Sequence, residues 1–311
     1  MARAYASIIL KAPVETVWPI VRDFNGLPNW AAGVKSSKIE KGLDSDVVGC
    51  VRSFHLNNGA HVRERLLMLD DARRCFSYNF ETPAFPVKNY LATLRLYPVT
   101  HTDHTFAEWE ATFDEAPGDE GKYVKIVSND VFASNFKSLA ALLAKTKPEK
   151  PSGAERWKGF QPNKVWTSRV IKAPVDDVWK VMRDFAGMGG WHGEITKMHM
   201  LRRVRSDKVS GIRDFYFGEG HINEELLHLD DIKRSFSYRI TKSGIPWMNY
   251  VSGPRLWPVT ADNTTFGVWT GDWVASPQDD VVLIPRTEQN VYQRAFAELE
   301  RNFFGRKKRG N

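Results

Sequence analysis

Fourteen residues beginning at Lys11, KAPVETVWPIVRDF, return as KAPVDDVWKVMRDF beginning at Lys172, identical at 9 of 14 positions and offset by 161. A second pair, HVRERLLMLDDARRCFSY from His61 and HINEELLHLDDIKRSFSY from His221, is offset by 160. One residue is lost between these markers, and the place is visible. Six residues, HLNNGA, separate Phe54 from His61, whereas five, YFGEG, separate Phe215 from His221. A single-residue change in a Gly-containing segment is what a hairpin loop tolerates. Later markers keep the register: Asn89-Tyr90 with Asn249-Tyr250, Pro98-Val99-Thr100 with Pro258-Val259-Thr260, and Trp109 with Trp269. A period this long excludes a solenoid of short repeats and asks each copy, about 145 residues, to bury a core of its own.

The boundaries follow. The run KPEKPSGAERWKGFQPN, from Lys147, is rich in Pro, Gly and charge and breaks the hydrophobic pattern. Domains are therefore expected over residues 1–147 and 164–304, with a linker over 148–163 and a basic tail over 305–311. Four of the seven net positive charges lie in that tail, Arg306-Lys307-Lys308-Arg309. About +3 is left for the rest, an ordinary surface that gives no reason to expect nucleic acid as a partner. No apolar stretch approaches membrane-spanning length, and the N-terminus has no secretory pattern. Cys50 and Cys75, the two cysteines, face Gly211 and Ser235 in the other repeat, which argues against a disulfide framework or a zinc cluster. The chain reads as cytoplasmic.

Each repeat opens with a short strand, ASIIL or WTSRVI, followed by a helix begun by Ala-Pro-Val. Val175, Val178, Trp179 and Met182 fall at helical spacing, and Pro19 is expected to disturb the first copy of this helix. Short alternating segments then run from about 38 to 127 and from about 198 to 284, rich in aromatic and β-branched residues and read as antiparallel sheet. A closing helix follows, with Val131, Phe132, Phe136 and Leu139 matching Val291, Tyr292, Phe296 and Leu299. The fold class expected is α+β: two tandem domains, each a curved antiparallel sheet gripping a long C-terminal helix. The space between sheet and helix is a natural apolar cavity.

The segments VGCVRSF, HVRERLLMLDDARR and VKNY stand in the order and spacing seen in plant abscisic-acid receptors and their bacterial relatives. The chain thus resembles the helix-grip superfamily of START-like, birch-pollen-allergen-like and polyketide-cyclase proteins. The resemblance implies that Glu64 and Glu224 point into a ligand cavity, with Arg52, Arg213, Tyr90 and Tyr250 as its polar residues. It also places Lys35 where the receptors keep the lysine that pairs with the hormone carboxylate, and Thr196 stands there in the second repeat. The receptors' Ser-Gly-Leu-Pro-Ala gate and His-Arg-Leu latch are absent. NNGAH and PAFPV occupy those places in repeat 1, and FGEGH and SGIPW in repeat 2. Hormone reception through such a gate is not expected.

Physical chemistry leaves two readings of the glutamates. A carboxylate among Val62 and Leu66, or Ile222 and Leu226, is costly unless it is paired or put to use. Burial raises its pKa and a neighbouring arginine lowers it, so it is either a general base or half of an ion pair bracing the sheet. His61-x-x-Glu64 and His221-x-x-Glu224 have metal-ligand spacing only on a helix. On a strand, positions i and i+3 face opposite ways, and no metal site is expected. His228, four residues after Glu224, falls on the same face of a regular strand, roughly 13 Å away.

There is no nucleophile elbow, Walker loop or dinucleotide fingerprint, so no cofactor is expected and any chemistry rests on proton transfer and cavity shape. By the resemblance, such chemistry is of cyclase, dehydratase, isomerase or lyase type on a hydrophobic, aromatic or polyketide-like small molecule. The alternative is a carrier or sensor of such a molecule. The catalytic candidates are Glu224, His228, Tyr250 and Glu64, and the ligand-binding candidates are Lys35, Arg52, Tyr90, Arg213, Ser252, Trp109 and Trp269. The tryptophans suit an ordinary core equally well. Lining positions differ between repeats: Lys35 faces Thr196, His55 faces Tyr216, Met68 faces His228 and Ala92 faces Ser252. The two cavities are therefore expected to be unequal, with the second carrying the richer proton-transfer set.

Overall fold

A computed structural model describes residues 1–146 and 163–305. The expected linker, apart from Asn163, and the basic tail beyond Gly305 lie outside the described residues. The chain divides into two compact units that follow the two repeats except at the turns Thr100–Thr102 and Thr260–Asp262.

In the first unit the strands are β1 (Ala2–Leu10), β2 (Val34–Ile39), β3 (Val51–Leu56), β4 (His61–Asp70), β5 (Cys75–Thr82), β6 (Lys88–Val99) and β7 (His104–Asp114). They form one sheet in the order β1-β7-β6-β5-β4-β3-β2, antiparallel at every pair. The second unit repeats this with β8 (Val165–Ile171), β9 (Ile195–Met200), β10 (Ile212–Phe217), β11 (Gly220–Asp230), β12 (Ser235–Lys242), β13 (Met248–Val259) and β14 (Thr264–Val274), in the order β8-β14-β13-β12-β11-β10-β9. The lost residue falls in the hairpin loop expected for it. His55 pairs with His61 across one turn, and Phe217 pairs with Gly220 across the shorter one.

The opening helices, Val14–Arg22 and Val175–Met182, bury Val14, Val17, Trp18 and Val21 in one copy and Val175, Val178, Trp179 and Met182 in the other. Pro19 is carried inside the first without ending it. The closing helices begin earlier than the sequence pattern suggests, at Lys122 and Pro277. The physical reason is capping. Ser276 accepts the backbone N–H of Asp279, and in the first copy the Glu115 carboxylate accepts those of Gly121 and Tyr123. Each closing helix contains a π-wound stretch, Ile126–Ala133 and Thr287–Gln293, of the kind often found at functional sites.

Each sheet buries its concave face on its own closing helix: Trp109 stacks on Phe132 at 4.6 Å, and Trp269 on Tyr292 at 5.3 Å. Each unit is thus a helix-grip domain, and the chain is a tandem of two. No helix among the described residues is long and apolar enough to cross a membrane.

Candidate functional site

The glutamates meet the arginines directly across the strand pair, because Arg52 is the register partner of Glu64 and Arg213 that of Glu224. Arg52 Nε donates to Glu64 Oε2 at 2.6 Å and Nη1 donates to the Phe24 carbonyl at 2.9 Å. Arg213 Nε donates to Glu224 Oε2 at 2.6 Å and Nη1 to the Phe185 carbonyl at 2.6 Å. Each guanidinium also lies 4.0 Å from the centre of a phenyl ring, Phe24 or Phe185. Burial pushes both carboxyls above the usual carboxylate range, against the pull of the arginine charge. Within each pair the arginine engages Oε2 and leaves Oε1 out. His61 and His221 sit on the other face, bonded to Ser53 at 2.8 Å and Asp214 at 2.7 Å.

The second unit has a cavity of about 590 Å³, its open mouth included. Arg213 and Glu224 form its polar wall with Tyr250, while Phe215, Ile222, Ile240, Ile245, Trp247 and Leu283 give it an apolar body. Arg286 also lines it and is exposed to solvent. The first unit carries larger rings at three of these positions: Phe80, Phe85 and Tyr123 stand where the second has Ile240, Ile245 and Leu283. They stack into one another. Phe80 lies 4.0 Å from Tyr90, Phe85 packs edge-on to Phe80 at 5.5 Å, and Tyr123 stacks on Phe85 at 5.6 Å.

Behind Tyr250 runs a chain of hydroxyls peculiar to the second unit. Ser252 has one hydroxyl proton, which it gives to the Thr270 carbonyl at 2.8 Å, so Tyr292 must donate to Ser252 Oγ, also at 2.8 Å. Trp269 Nε1 donates to the same oxygen at 3.0 Å. With the Tyr292 proton committed, the 2.5 Å bond between Tyr250 and Tyr292 has Tyr250 as its donor. Anything that reaches the Tyr250 oxygen from the cavity therefore meets a lone pair. Burial holds both tyrosines well above their ordinary pKa, so neither ionises near neutrality. Gly271 makes room for the chain, since a Cβ there would lie 2.2 Å from the Tyr292 hydroxyl. The first unit has Ala92, Ala111 and Phe132 at the places of Ser252, Gly271 and Tyr292, and its Trp109 Nε1 donates to Tyr78 instead, at 3.1 Å.

Several expected site residues fall elsewhere. A β-bulge between Leu226 and His228 reverses the alternation of β11, so His228 is exposed and does not share the face of Glu224. Lys35 is exposed within a bulge of the edge strand β2, and Thr196 is exposed on β9. His55 and Tyr216 stack on His61 and His221, away from the concave face that holds Phe54 and Phe215. Trp109 and Trp269 are core residues, 2% and 1% exposed, and Trp269 and Ser252 lie behind the cavity rather than in its wall. Tyr90 belongs to the aromatic stack. Sequence reasoning missed Ile240, Ile245, Trp247, Leu283, Arg286 and Tyr292. Comparing the repeats position by position along β12, the following loop and the closing helix would have found them, because Arg286 replaces Ile126 and Tyr292 replaces Phe132.

The chain is similar to several known proteins. The abscisic acid receptor PYL1 of Arabidopsis thaliana is similar at 24% identity over 141 residues, 43% of this chain and 63% of the receptor, so the match spans less than two thirds of that relative. A solved structure from Nitrosospira multiformis is 30% identical, covering 46% of this chain and 97% of its own, with a TM-score of 0.40. The di-domain ARO/CYC BexL from the BE-7585A biosynthetic pathway aligns over 97% of this chain and 98% of its own at 14% identity, with a TM-score of 0.37. The profile of the family described as "Polyketide cyclase / dehydrase and lipid transport" matches residues 1–144 and again 162–303. With both repeats matched, the chain belongs to the polyketide cyclase/dehydrase and lipid transport family, as a tandem of two copies.

Proposed function

We propose that the second unit is the working half, and that its cavity binds a hydrophobic, aromatic or polyketide-like small molecule on which Glu224 performs acid/base chemistry. The observation that carries this reading is the Glu224 carboxylate beside Arg213 in the wall of a cavity with an apolar body, whereas the first unit, with the same ion pair, carries the stacked rings Phe80, Phe85 and Tyr123 at the equivalent positions. Glu224 Oε2 is held by Arg213, and Oε1 is left to take a proton from a carbon next to a ketone, the first step of both cyclisation and dehydration. Arg213 opposes the rise in pKa that burial imposes on the acid, and the apolar walls exclude water that would compete for the proton. Tyr250 serves as a fixed acceptor that orients a hydroxyl of the guest. His228 takes no part.

One observation favours a second reading, a carrier that leaves its guest unchanged: the Glu–Arg pair has the same partners in both units, as a structural brace would. Native mass spectrometry of protein purified from its own host, followed by incubation of the identified guest with wild-type and E224Q protein, separates the two. Conversion that E224Q abolishes while binding persists supports the enzyme; an unaltered guest in both supports the carrier.

A further inference from the structure

Arg286 is a cation that no other described residue engages. Several arginines of this unit are engaged: Arg183 with Asp231 at 2.9 Å, Arg234 with Asp176 at 2.7 Å, Arg239 with Glu225 at 2.7 Å and Arg294 with Glu298 at 2.9 Å. Among the described residues Arg202 and Arg203 also lack a partner, but they are exposed and do not line the cavity. Among the described residues, no carboxylate or hydrogen-bond acceptor engages Arg286, although it borders the cavity. It closes the α-wound part of the helix Pro277–Arg286, next to the buried, cavity-lining Thr287. The first unit has Ile126 at this position, packed against its core.

The charges of the wall can be summed by residue. Arg213 and Glu224 neutralise each other, and Tyr238 and Tyr250 stay protonated because burial raises both well above their usual range. Among the described residues of the lining, the one uncompensated charge is the Arg286 guanidinium. An apolar slot with a single cation at its exposed rim selects a molecule with an apolar body and one anionic end, since a neutral guest leaves the guanidinium unused and a cation is repelled. An arginine serves this better than the edge-strand lysine suggested by the sequence, because its planar fork matches a carboxylate or sulfonate in two hydrogen bonds.

We propose that the second cavity takes aromatic monoanions, with the ring system against Ile240, Ile245 and Trp247 and the anionic group on Arg286. This rests on the cavity being a binding site, and the test keeps the two ideas apart. Two fluorescent probes of nearly one shape are titrated into the full chain: 8-anilinonaphthalene-1-sulfonate, an anion, and N-phenyl-1-naphthylamine, its neutral counterpart. Wild-type protein is expected to bind the anion more tightly. R286I, which installs the residue of the first unit, should weaken the anion by about tenfold or more, the usual effect of losing a charged hydrogen bond, and leave the neutral probe within about twofold. R286K should recover part of the loss, and raising salt should weaken the anion in wild type more than in R286I. Saturable binding of both probes with an affinity ratio unchanged by R286I overturns the anion assignment alone. If neither probe saturates, the binding-site reading and the inference fall together.

Discussion

The cavity of the second unit can be closed with the first unit's own residues. The exchange I240F/I245F/L283Y installs Phe80, Phe85 and Tyr123 at the equivalent positions and keeps Trp247, whose replacement by the first unit's Val87 would remove more volume than the three enlargements add. It supplies counterparts of the ring pairs Phe80–Tyr90, Phe80–Phe85 and Phe85–Tyr123 beside the retained Trp247–Tyr250 and Trp247–Trp273. Three such pairs, partly offset by tighter packing, give roughly 1 kcal/mol. Filling the roughly 40 Å³ of the cavity that water can occupy adds roughly 1 kcal/mol. The exchanged unit is therefore expected to gain about 2 kcal/mol and to melt roughly 5 °C higher. At the same time it should lose N-phenyl-1-naphthylamine binding by about a hundredfold, roughly the loss of a well-buried ring. Calorimetry and fluorescence titration read the two quantities on one sample. A destabilised unit would show that the rings cannot be seated between this sheet and helix, and retained binding would show that the guest sits elsewhere. Either result refutes the reasoning.

Because the Glu–Arg pairs share every partner, E64Q and E224Q should shift the melting of their own units by the same amount, to within roughly 0.5 kcal/mol, while only E224Q alters turnover of the guest; equal functional losses would return the acid to a purely structural role. His192, 2% exposed with Nδ1 3.7 Å from Glu298, has a pKa lowered chiefly by burial and also by Arg294. The unfolded chain then binds the proton more readily, so the second unit should lose stability as pH falls below about 6.5, and H192A, the counterpart of Ala31, should flatten that slope in melting curves from pH 7 to 5. Parallel slopes would exclude His192 as the cause. Residues 1–147 expressed alone should melt cooperatively, since sheet and closing helix are both complete within them, and a molten product would mean that the unit needs its neighbour.

How far the sequence reached depended on whether a property was local or assembled. The tandem architecture was legible because duplication fixes it: the 160-residue offset, the Ala-Pro-Val helix start and the alternation of β4 and β11 are written in neighbouring residues. The Arg52–Glu64 and Arg213–Glu224 pairs were legible for the same reason, since one hairpin sets their register. His228 was misread because alternation assumes a regular strand, and a bulge that reverses it depends on how β11 meets β12. The helix starts were late by several residues because the capping groups, Ser276 and Glu115, lie outside the apolar pattern. The cavity itself lay beyond any local reading. Its walls come from the turn at Met188, β9, β10, β11, β12, β13, the loop after β12 and the closing helix, and whether they enclose space or stacked rings follows from side-chain volumes that meet only once the helix is gripped. The direction of the Tyr250–Tyr292–Ser252 chain was equally out of reach, because it is fixed by a proton count across two strands and a helix. Sequence determines what each element must bury; only the packed structure decides what is left unfilled.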